Sequence, residues 1–107
     1  MVAGPLVVLT TFSNVDDARR VVREMVERRL VACGTVVPGA TSVYRWEGAV
    51  TEEDEVLVFL KTDAARWEEL ARAVTERHPY ELPELLALPV SEGLDRYLSW
   101  LAGEVGP

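Results

Sequence analysis

VACGTVVPGATSVYRWEGAVTEEDEVLVFLKT, residues 31–62, is the stretch that decides the fold of this chain. Residues 31–46 are rich in β-branched and aromatic side chains, and Glu47-Gly48 supplies a tight turn. Residues 49–62 then return as a second long run, in which residues 56–60 are apolar at every position. Two such runs around one turn predict a long β-hairpin, and the apolar half of its second strand is expected to be buried on both faces.

The sequence on either side of the hairpin alternates between strand and helix patterns. Residues 6–12 form a short β-branched run, typical of a strand near the middle of a sheet. Residues 15–30 carry one apolar stripe at helical spacing and predict an amphipathic helix of roughly four turns. A second stripe follows Asp63 and ends at Pro79, and residues 85–90 predict a fourth strand. The stripe of a last short helix comprises Leu94, Tyr97, Leu98 and Leu101.

The order of elements is β-α-β-β-α-β with a terminal helix. This order predicts an α+β fold of the ferredoxin-like, split βαβ type, in which helices cover one face of an antiparallel sheet. The first and third strands have uninterrupted apolar runs and are expected to be central. Proline is confined to edge strands and bulges, so Pro38 and Pro89 place the second and fourth strands at the edges. Gly34, Pro38 and Gly39 also predict a bend or bulge in the second strand.

The predicted hairpin is too long for a domain of this size. Strands of about 13 residues span about 40 Å, whereas a domain of this length has a radius of gyration of about 13 Å. Part of the hairpin must therefore overhang the domain or bend sharply. The overhang carries the apolar residues Val43, Tyr44, Trp46 and Val50. Because an exposed apolar edge invites pairing, we expect another copy to cover it in a closed homo-oligomer.

Composition and charge exclude several classes of function. The chain has 107 residues, of which 49% are hydrophobic and 27% charged, as expected for one globular domain. Its net charge of −7 argues against binding to nucleic acids or anionic membranes. Cys33 is the single cysteine, which excludes an intrachain disulfide. The apolar run at residues 5–12 is too short for a signal sequence or a membrane span, so we expect a soluble, cytoplasmic protein.

The segment His78-Pro79-Tyr80-Glu81-Leu82-Pro83-Glu84 holds the only histidine, beside a tyrosine and two carboxylates. Its prolines favour one extended conformation, and a rigid connector between a helix and a strand is a frequent place for a binding site. A metal site needs three or four ligands, so carboxylates or copies in a symmetric oligomer would have to complete the set. The alternatives are a helix-capping His78 and an inert, buried Cys33.

Three weaker features bear on the chemistry. Lys61 is the only lysine and precedes a predicted helix N-terminus, a combination that binds anions. A surface lysine at a strand end is the alternative. The acidic run at residues 52–55 lacks the glycine turn of a calcium loop, so a solvated hairpin segment explains it better than a cation site. A nucleophilic pair of Cys33 and His78 is conceivable, but no orienting group flanks either residue.

Six segments form an ordered set of motifs: residues 8–11, 29–33, 38–48, 60–62, 78–84 and 97–101. Over essentially the whole length they resemble the CutA divalent-cation tolerance family, which makes residues 1–107 one domain of that type. The resemblance implies a compact homotrimer of ferredoxin-like subunits, with hairpins that bridge neighbours. It also implies a non-enzymatic role linked to copper and divalent-metal tolerance.

This sequence departs from the family at the metal ligands. Some members carry cysteine where this chain has Thr10, and two histidines where it has Arg77 and His78. A guanidinium cannot serve as a ligand, and a threonine hydroxyl is a poor ligand for copper. The resemblance therefore implies weak or indirect binding of copper or another divalent cation. The remaining candidate ligands are His78, Cys33 and Glu84.

A second interpretation is a small-molecule or anion sensor. The trimeric architecture is similar to that of the PII signalling proteins, which bind nucleotides and anions between subunits. The chain lacks the long flexible loop that those proteins have between their middle strands. The candidate residues of such an intersubunit cleft are Tyr44, Trp46, Lys61, His78, Tyr80 and Glu84. A third interpretation, an enzyme that uses His78 and Cys33, has the weakest support.

Overall fold

The computed structural model describes residues 3–106, which contain four strands, three α-helices and one short 3₁₀ helix. The strands are β1 (Pro5–Phe12), β2 (Cys33–Trp46), β3 (Ala49–Asp63) and β4 (Leu86–Pro89). The helices are α1 (Val15–Glu27), α2 (Trp67–Arg77) and α3 (Asp95–Glu104), and the 3₁₀ helix is Ala64–Arg66. The predicted β-α-β-β-α-β order with a terminal helix is therefore confirmed.

The four strands form one antiparallel sheet in the order β2-β3-β1-β4. β1 and β3 are central and β2 and β4 are edges, as the positions of the prolines predict. β1 pairs with β3 along its whole length, from Pro5 opposite Asp63 to Phe12 opposite Val56. This is the ferredoxin-like, split βαβ arrangement.

The buried core lies between one face of the sheet and the helices α1 and α2. Alternate residues of β1 and β3 point into it, and Val8, Val58 and Leu60 are at most 1% exposed. Met25 of α1 and Leu70 of α2 pack in the same cluster and are fully buried. Burial of each such side chain stabilises the fold by about 1.5–3 kcal/mol, which fixes the sheet register and the positions of both helices.

Helix α3 lies against the opposite face of the sheet. Leu60 points into the core, so its neighbour Lys61 points to the other side. There the Lys61 Nζ atom donates to the Tyr97 hydroxyl of α3 at 3.2 Å. Leu101 is the buried anchor of α3, whereas Leu94 of the predicted stripe lies before the helix and is exposed. The sheet is thus covered by two helices on one face and by one helix on the other.

Helix α1 ends earlier than its apolar pattern predicts. The pattern continues to Leu30, but the helix ends at Glu27. Arg29 adopts a left-handed conformation (φ 58°), and the Leu30 N–H donates back into the last turn, which closes the helix. Leu30 is nevertheless fully buried, so its apolar side chain belongs to the core and not to a longer helix. The strands β2 and β4 also differ from the prediction, because each begins slightly later in the sequence.

The β2–β3 hairpin contains the predicted irregularity. Its pairing register shifts between Val37 and Ala40, so the bulge falls at Pro38-Gly39. Gly34 lies in a regular part of β2, where an added Cβ would come within 2.5 Å of a side chain of α1. The turn at Glu47-Gly48 has positive φ at both residues (49° and 82°), as primed two-residue turns require.

The far end of the hairpin extends beyond the helices, as its length predicts. The molecule measures 44 × 26 × 24 Å, with a radius of gyration of 14.3 Å. We call residues 33–37 with 57–63 the hairpin base, and residues 41–54 the hairpin tip. At the tip, Val43, Trp46 and Val50 are 61, 43 and 65% exposed. The two parts of one hairpin therefore have different surroundings.

Candidate functional site

A cleft of about 560 Å³ opens between the hairpin tip and the connector at residues 78–84 that follows α2. Its aromatic lining comprises Tyr44, Trp46 and Tyr80, and its carboxylates are Glu53, Glu55, Glu81 and Glu84. Val43 and Leu82 add apolar surface. No lysine, arginine or histidine of residues 3–106 lines the cleft. The cleft is therefore an acidic site with aromatic walls.

The connector takes its shape from His78. This residue caps the C-terminus of α2 in an extended conformation and is 8% exposed. Its ring stacks on Phe12, with centroids 4.3 Å apart. Its Nε2 lies 2.7 Å from the Thr11 carbonyl oxygen, and its Nδ1 accepts from the Tyr80 N–H at 3.1 Å. These contacts fold the connector back over the end of β1 and place Tyr80 in the wall of the cleft.

Two hydrogen bonds define the protonation state of His78. Because Nδ1 accepts a hydrogen bond, the proton lies on Nε2, which donates to the Thr11 carbonyl. Burial lowers the pKa of His78 below its usual 6.5, although the Thr11 carbonyl and Glu55 act in the opposite direction. His78 is thus neutral at the C-cap position of α2, and its ring bonds to β1 and to the connector and not to the last carbonyls of the helix. In this conformation neither ring nitrogen has a free lone pair for a metal.

Two tyrosine–glutamate hydrogen bonds hold the walls of the cleft. The Tyr80 hydroxyl donates to Glu55 Oε2 at 2.7 Å, and the Tyr44 hydroxyl donates to Glu53 Oε1 at 2.8 Å. Burial and the Glu55 carboxylate raise the pKa of Tyr80 far above its usual value, and the hydrogen bond to Glu53 raises the pKa of Tyr44. Both hydroxyls therefore stay protonated and keep donating to the carboxylates.

The interpretation of residues 52–55 as a solvated segment does not hold for Glu55. Glu55 is 8% exposed, and both Glu53 and Glu55 line the cleft. Tyr44 lies opposite Thr51 in the hairpin, so strand alternation puts Glu53 and Glu55 on the face of Tyr44. The turn at Glu47-Gly48 fixes this register. The position of the two carboxylates was therefore accessible from the sequence, through alternation counted back from the turn.

Lys61 and Cys33 lie outside the cleft, at the far end of the hairpin base. They are opposite each other in the sheet. The Tyr97 hydroxyl lies 3.2 Å from Lys61 Nζ and 3.7 Å from Cys33 Sγ, and its hydrogen bond raises the pKa of Lys61. The sequence assigned Tyr97 to the apolar stripe of α3 and not to contacts with Lys61 and Cys33, since α3 reaches this face only through tertiary packing.

The structure brings part of the predicted cleft together within one subunit. Its members are Tyr44, Trp46, Tyr80 and Glu84, with His78 beneath them. Lys61 and Cys33 lie on another part of the subunit, beside Tyr97. Cys33 is therefore also far from His78, and the two do not form the nucleophilic pair that the sequence made conceivable. A lining of four carboxylates without Lys61 disfavours an anion as the ligand of this cleft.

The predicted ligands His78, Cys33 and Glu84 do not form a metal site within one subunit. In residues 3–106, no group of three or more His, Cys, Asp or Glu side chains is arranged to hold a metal ion. Thr10 is buried, and its hydroxyl has no hydrogen-bond partner within the same residues. Arg77 forms an ion pair with a glutamate of α1 at 2.7 Å. The residues present therefore do not fit a tight copper site.

The fold and the cleft together define a class of protein: a ferredoxin-like α+β subunit with an elongated hairpin and an acidic, aromatic cleft beside it. Comparison with known families then identifies the lineage. Residues 6–104 match the CutA1 divalent ion tolerance protein family. The chain belongs to this family, and the resemblance inferred from its motifs is confirmed.

Individual relatives agree with this assignment. The divalent-cation tolerance protein CutA of Thermus thermophilus is 44% identical over 100 residues, which cover 94% of this chain and 97% of that protein. The Escherichia coli protein of the same name is 43% identical over 96 residues, which cover 90% of this chain and 86% of that protein. The solved T. thermophilus Cut A1 structure has a TM-score of 0.93 at 43% identity and covers 95% of this chain and 99% of that one. The Xylella fastidiosa CutA structure has a TM-score of 0.92 at 35% identity and covers 95% of this chain and 98% of that one.

Proposed function

We propose that this chain takes part in the response to divalent cations, copper among them, as a non-enzymatic homotrimer that binds metal weakly or acts indirectly. Its membership of the CutA1 divalent ion tolerance family supports the link to divalent cations. The observation that carries weak binding is the engagement of both His78 nitrogens in hydrogen bonds. A metal would have to displace two largely buried hydrogen bonds before it reached the only imidazole of the chain.

The acidic cleft is where cations would collect. Its four carboxylates supply oxygen ligands, which suit hydrated hard cations better than they suit copper. One oxygen of Glu53 and one of Glu55 already accept hydrogen bonds from tyrosines. We therefore expect association that weakens as salt increases, because it depends on the field of the cleft more than on direct coordination.

Two exposed apolar areas support the homotrimer. The hairpin tip presents Val43, Trp46 and Val50, and the edge strand β4 presents Leu86 and Leu88. Apolar areas of this kind on one subunit are typical of surfaces that another copy covers. A closed ring of copies would bury both areas and would protect two edge strands from open-ended pairing.

A copper titration of the tag-free protein against a weak competing chelator tests the metal proposal, with the molecular mass measured in parallel. We expect a trimer that does not withdraw copper from the competitor in a saturable manner. Saturable uptake of one copper ion per subunit would overturn the proposal that the protein binds metal weakly. His78→Gln is the matched variant, since its amide nitrogen still donates to the Thr11 carbonyl while the imidazole is gone. If the parent takes up copper and this variant does not, His78 is a ligand.

We also propose the cytoplasm as the compartment of this protein. Within residues 3–106, no helix is long and apolar enough to cross a membrane. A single cysteine suits a reducing compartment. A solved relative from Archaeoglobus fulgidus is described as periplasmic, so the compartment has to be measured for this chain. Recovery of the protein in a periplasmic fraction of its own cells would contradict the proposal.

A further inference from the structure

The face of the sheet opposite α1 and α2 is polarised along β3. Alternation puts every second residue of the strand on this face. From the tip to the end of the base, these residues are two acids, two apolar residues and a lysine: Glu53, Glu55, Leu57, Phe59 and Lys61. Leu57 and Phe59 are partly exposed, whereas Val58 and Leu60 face the core. One strand therefore presents negative charge at one end, apolar surface in the middle and positive charge at the other end.

These opposite charges do not neutralise each other within one subunit. Glu55 is 8% exposed, and within residues 3–106 no lysine or arginine forms an ion pair with it or with Glu53. The Lys61 Nζ atom donates only to the Tyr97 hydroxyl in that part of the chain. Lys61 is about 20 Å from Glu55 along the strand, beyond the screening length of about 8 Å at physiological ionic strength. Both ends therefore favour a counter-charge from outside the subunit.

The exposed apolar residues indicate which molecule supplies the counter-charges. Leu88 lies opposite Val7, which lies opposite Lys61, so Leu88 and Lys61 share a row across the sheet about 10 Å apart. Trp46 lines the cleft beside the carboxylates of β3. Leu88 and Trp46 are 49 and 43% exposed, so a second copy would cover them. When the tip of one copy covers Leu88 of the next, the acidic cleft of the first approaches Lys61 of the second.

We propose that Lys61 of one copy enters the acidic cleft of the next copy and pairs with Glu53 and Glu55. This inference rests on the proposed homotrimer and names the surfaces that meet in it. Each interface in a ring of three copies joins two different surfaces of the subunit, so every cleft receives one lysine. The lysine neutralises one of the four carboxylates that line the cleft. The cleft therefore stays acidic, as the proposed association with cations requires.

The other cations of the chain are less suited to this role. Arg19 and Arg72 lie on α1 and α2, on the other side of the sheet, and Arg45 alternates with Tyr44 and so lies on the other face of the hairpin. Arg96 is exposed on α3 and provides the matched control. Six arginines already form ion pairs within their own subunit: Arg20, Arg23, Arg28, Arg29, Arg66 and Arg77.

Carbodiimide cross-linking of the tag-free protein tests the inference, because Lys61 is the only lysine of the chain. The reagent joins an amine directly to a carboxylate without a spacer, so it links only groups that are in contact. Lys61 and Glu55 are too far apart for such a link within one subunit, so a link between them joins two copies. We expect covalent dimers and trimers on a denaturing gel. Mass spectrometry should identify linked peptides that join Lys61 to Glu53 or Glu55.

Lys61→Arg is the matched variant for cross-linking, since a guanidinium keeps the charge but does not couple to an activated carboxylate. It should sediment like the parent and lack the linked peptides, whereas any link through the N-terminal amine would remain. Lys61→Gln removes the charge and should weaken the association of the copies at least about tenfold. Arg96→Gln removes an exposed charge instead and should keep both the association and the cross-link of the parent.

Failure of the inference and failure of the homotrimer give different results. A trimer in which Lys61 couples to no carboxylate of the cleft, or couples to Glu92 or Asp95 instead, would overturn the inference and leave the homotrimer standing. Equal association of Lys61→Gln and the parent would also overturn it, because the charge would then contribute nothing to the interface. A parent that sediments as a monomer at every concentration would overturn the homotrimer and the inference together.

Discussion

The base and the tip of the hairpin both contain β-branched and aromatic residues but have opposite surroundings. At the base, Val58 and Leu60 are at most 1% exposed, because α1 and α2 cover them. At the tip, Val43 and Val50 are 61 and 65% exposed, because they lie outside the core that α1 and α2 close. β-branched composition therefore accounts for strand formation in both parts, whereas burial depends on what packs against the strand. The base stabilises the subunit, and the tip is available to a second molecule.

Truncation of a core side chain at the base should have the largest effect. Leu60→Ala leaves a cavity between the sheet and the helices and should lower the free energy of unfolding by about 2–5 kcal/mol. Urea unfolding followed by circular dichroism measures this loss. Val50→Ala at the tip is the matched control and should cost less than about 0.5 kcal/mol at concentrations where the chain is monomeric. Similar losses at both positions would remove the distinction between base and tip.

Truncation of the aromatic residue at the tip should act on assembly more than on folding. Trp46 is 43% exposed in the subunit, and a central aromatic is a typical anchor of an interface. Trp46→Ala should weaken association by about 2 kcal/mol or more, which sedimentation at low micromolar concentration would detect as smaller species. Val26→Ala, on the exposed side of α1, is the control and should sediment like the parent. Equal sedimentation of the Trp46 variant and the parent would refute an anchoring role.

The fold could be predicted because its determinants are local. Prolines marked the edge strands and the bulge, and the length of the hairpin implied an overhang before any tertiary contact was known. The end of α1 was misplaced, since the apolar period continues to Leu30 and only the left-handed Arg29 breaks the helix. Arginine carries no sequence preference for that conformation, so the pattern could not show the break.

The site was predicted less completely than the fold. The connector and the aromatic residues of the tip, which the sequence analysis assigned to an intersubunit cleft, line one cleft within a subunit. Lys61 and Cys33 lie on the face of the sheet that also carries Glu55, but Lys61 is six residues farther along β3, about 20 Å at strand rise. There the Tyr97 hydroxyl of α3 lies beside both side chains, and no local pattern specifies that docking. The buried Glu55 was overlooked because an acidic run suggests solvent, although the register counted from the turn assigns it to the face of Tyr44.

The junction of base and tip should become less stable at low pH, because His78 lies beneath it. Protonation of Nδ1 replaces the acceptor of the Tyr80 N–H with a donor. Burial lowers the pKa of His78 from 6.5, so below that pH the folded chain binds fewer protons than the unfolded chain. The contribution of this group is therefore fully present above pH 6.5 and decreases as the pH falls toward the lower folded pKa. The loss should be smaller than that caused by Leu60→Ala.

Thermal melts between about pH 5 and about pH 7, above the range where carboxylates titrate, measure this effect. His78→Gln removes the titrating ring, so its melting temperature should vary less over that range than the melting temperature of the parent. Asp17 and Glu55 favour the protonated ring and reduce the expected slope. A parent whose melting temperature is level or rises as the pH falls would contradict this prediction.

Loss of the polar contact at the far end of the base should have the smallest effect. Tyr97→Phe removes the hydroxyl that accepts from Lys61 at 3.2 Å, but leaves the ring, whose centroid lies 5.6 Å from the Lys61 Nζ atom. Water can replace the lost partner because Tyr97 is 39% exposed, so the free energy of unfolding should fall by less than about 1 kcal/mol. Tyr80→Phe is the matched comparison and should cost more, since it leaves the buried Glu55 without its donor. If Tyr97→Phe instead destabilised the chain as much as Leu60→Ala, polar contacts and not apolar burial would hold the base together.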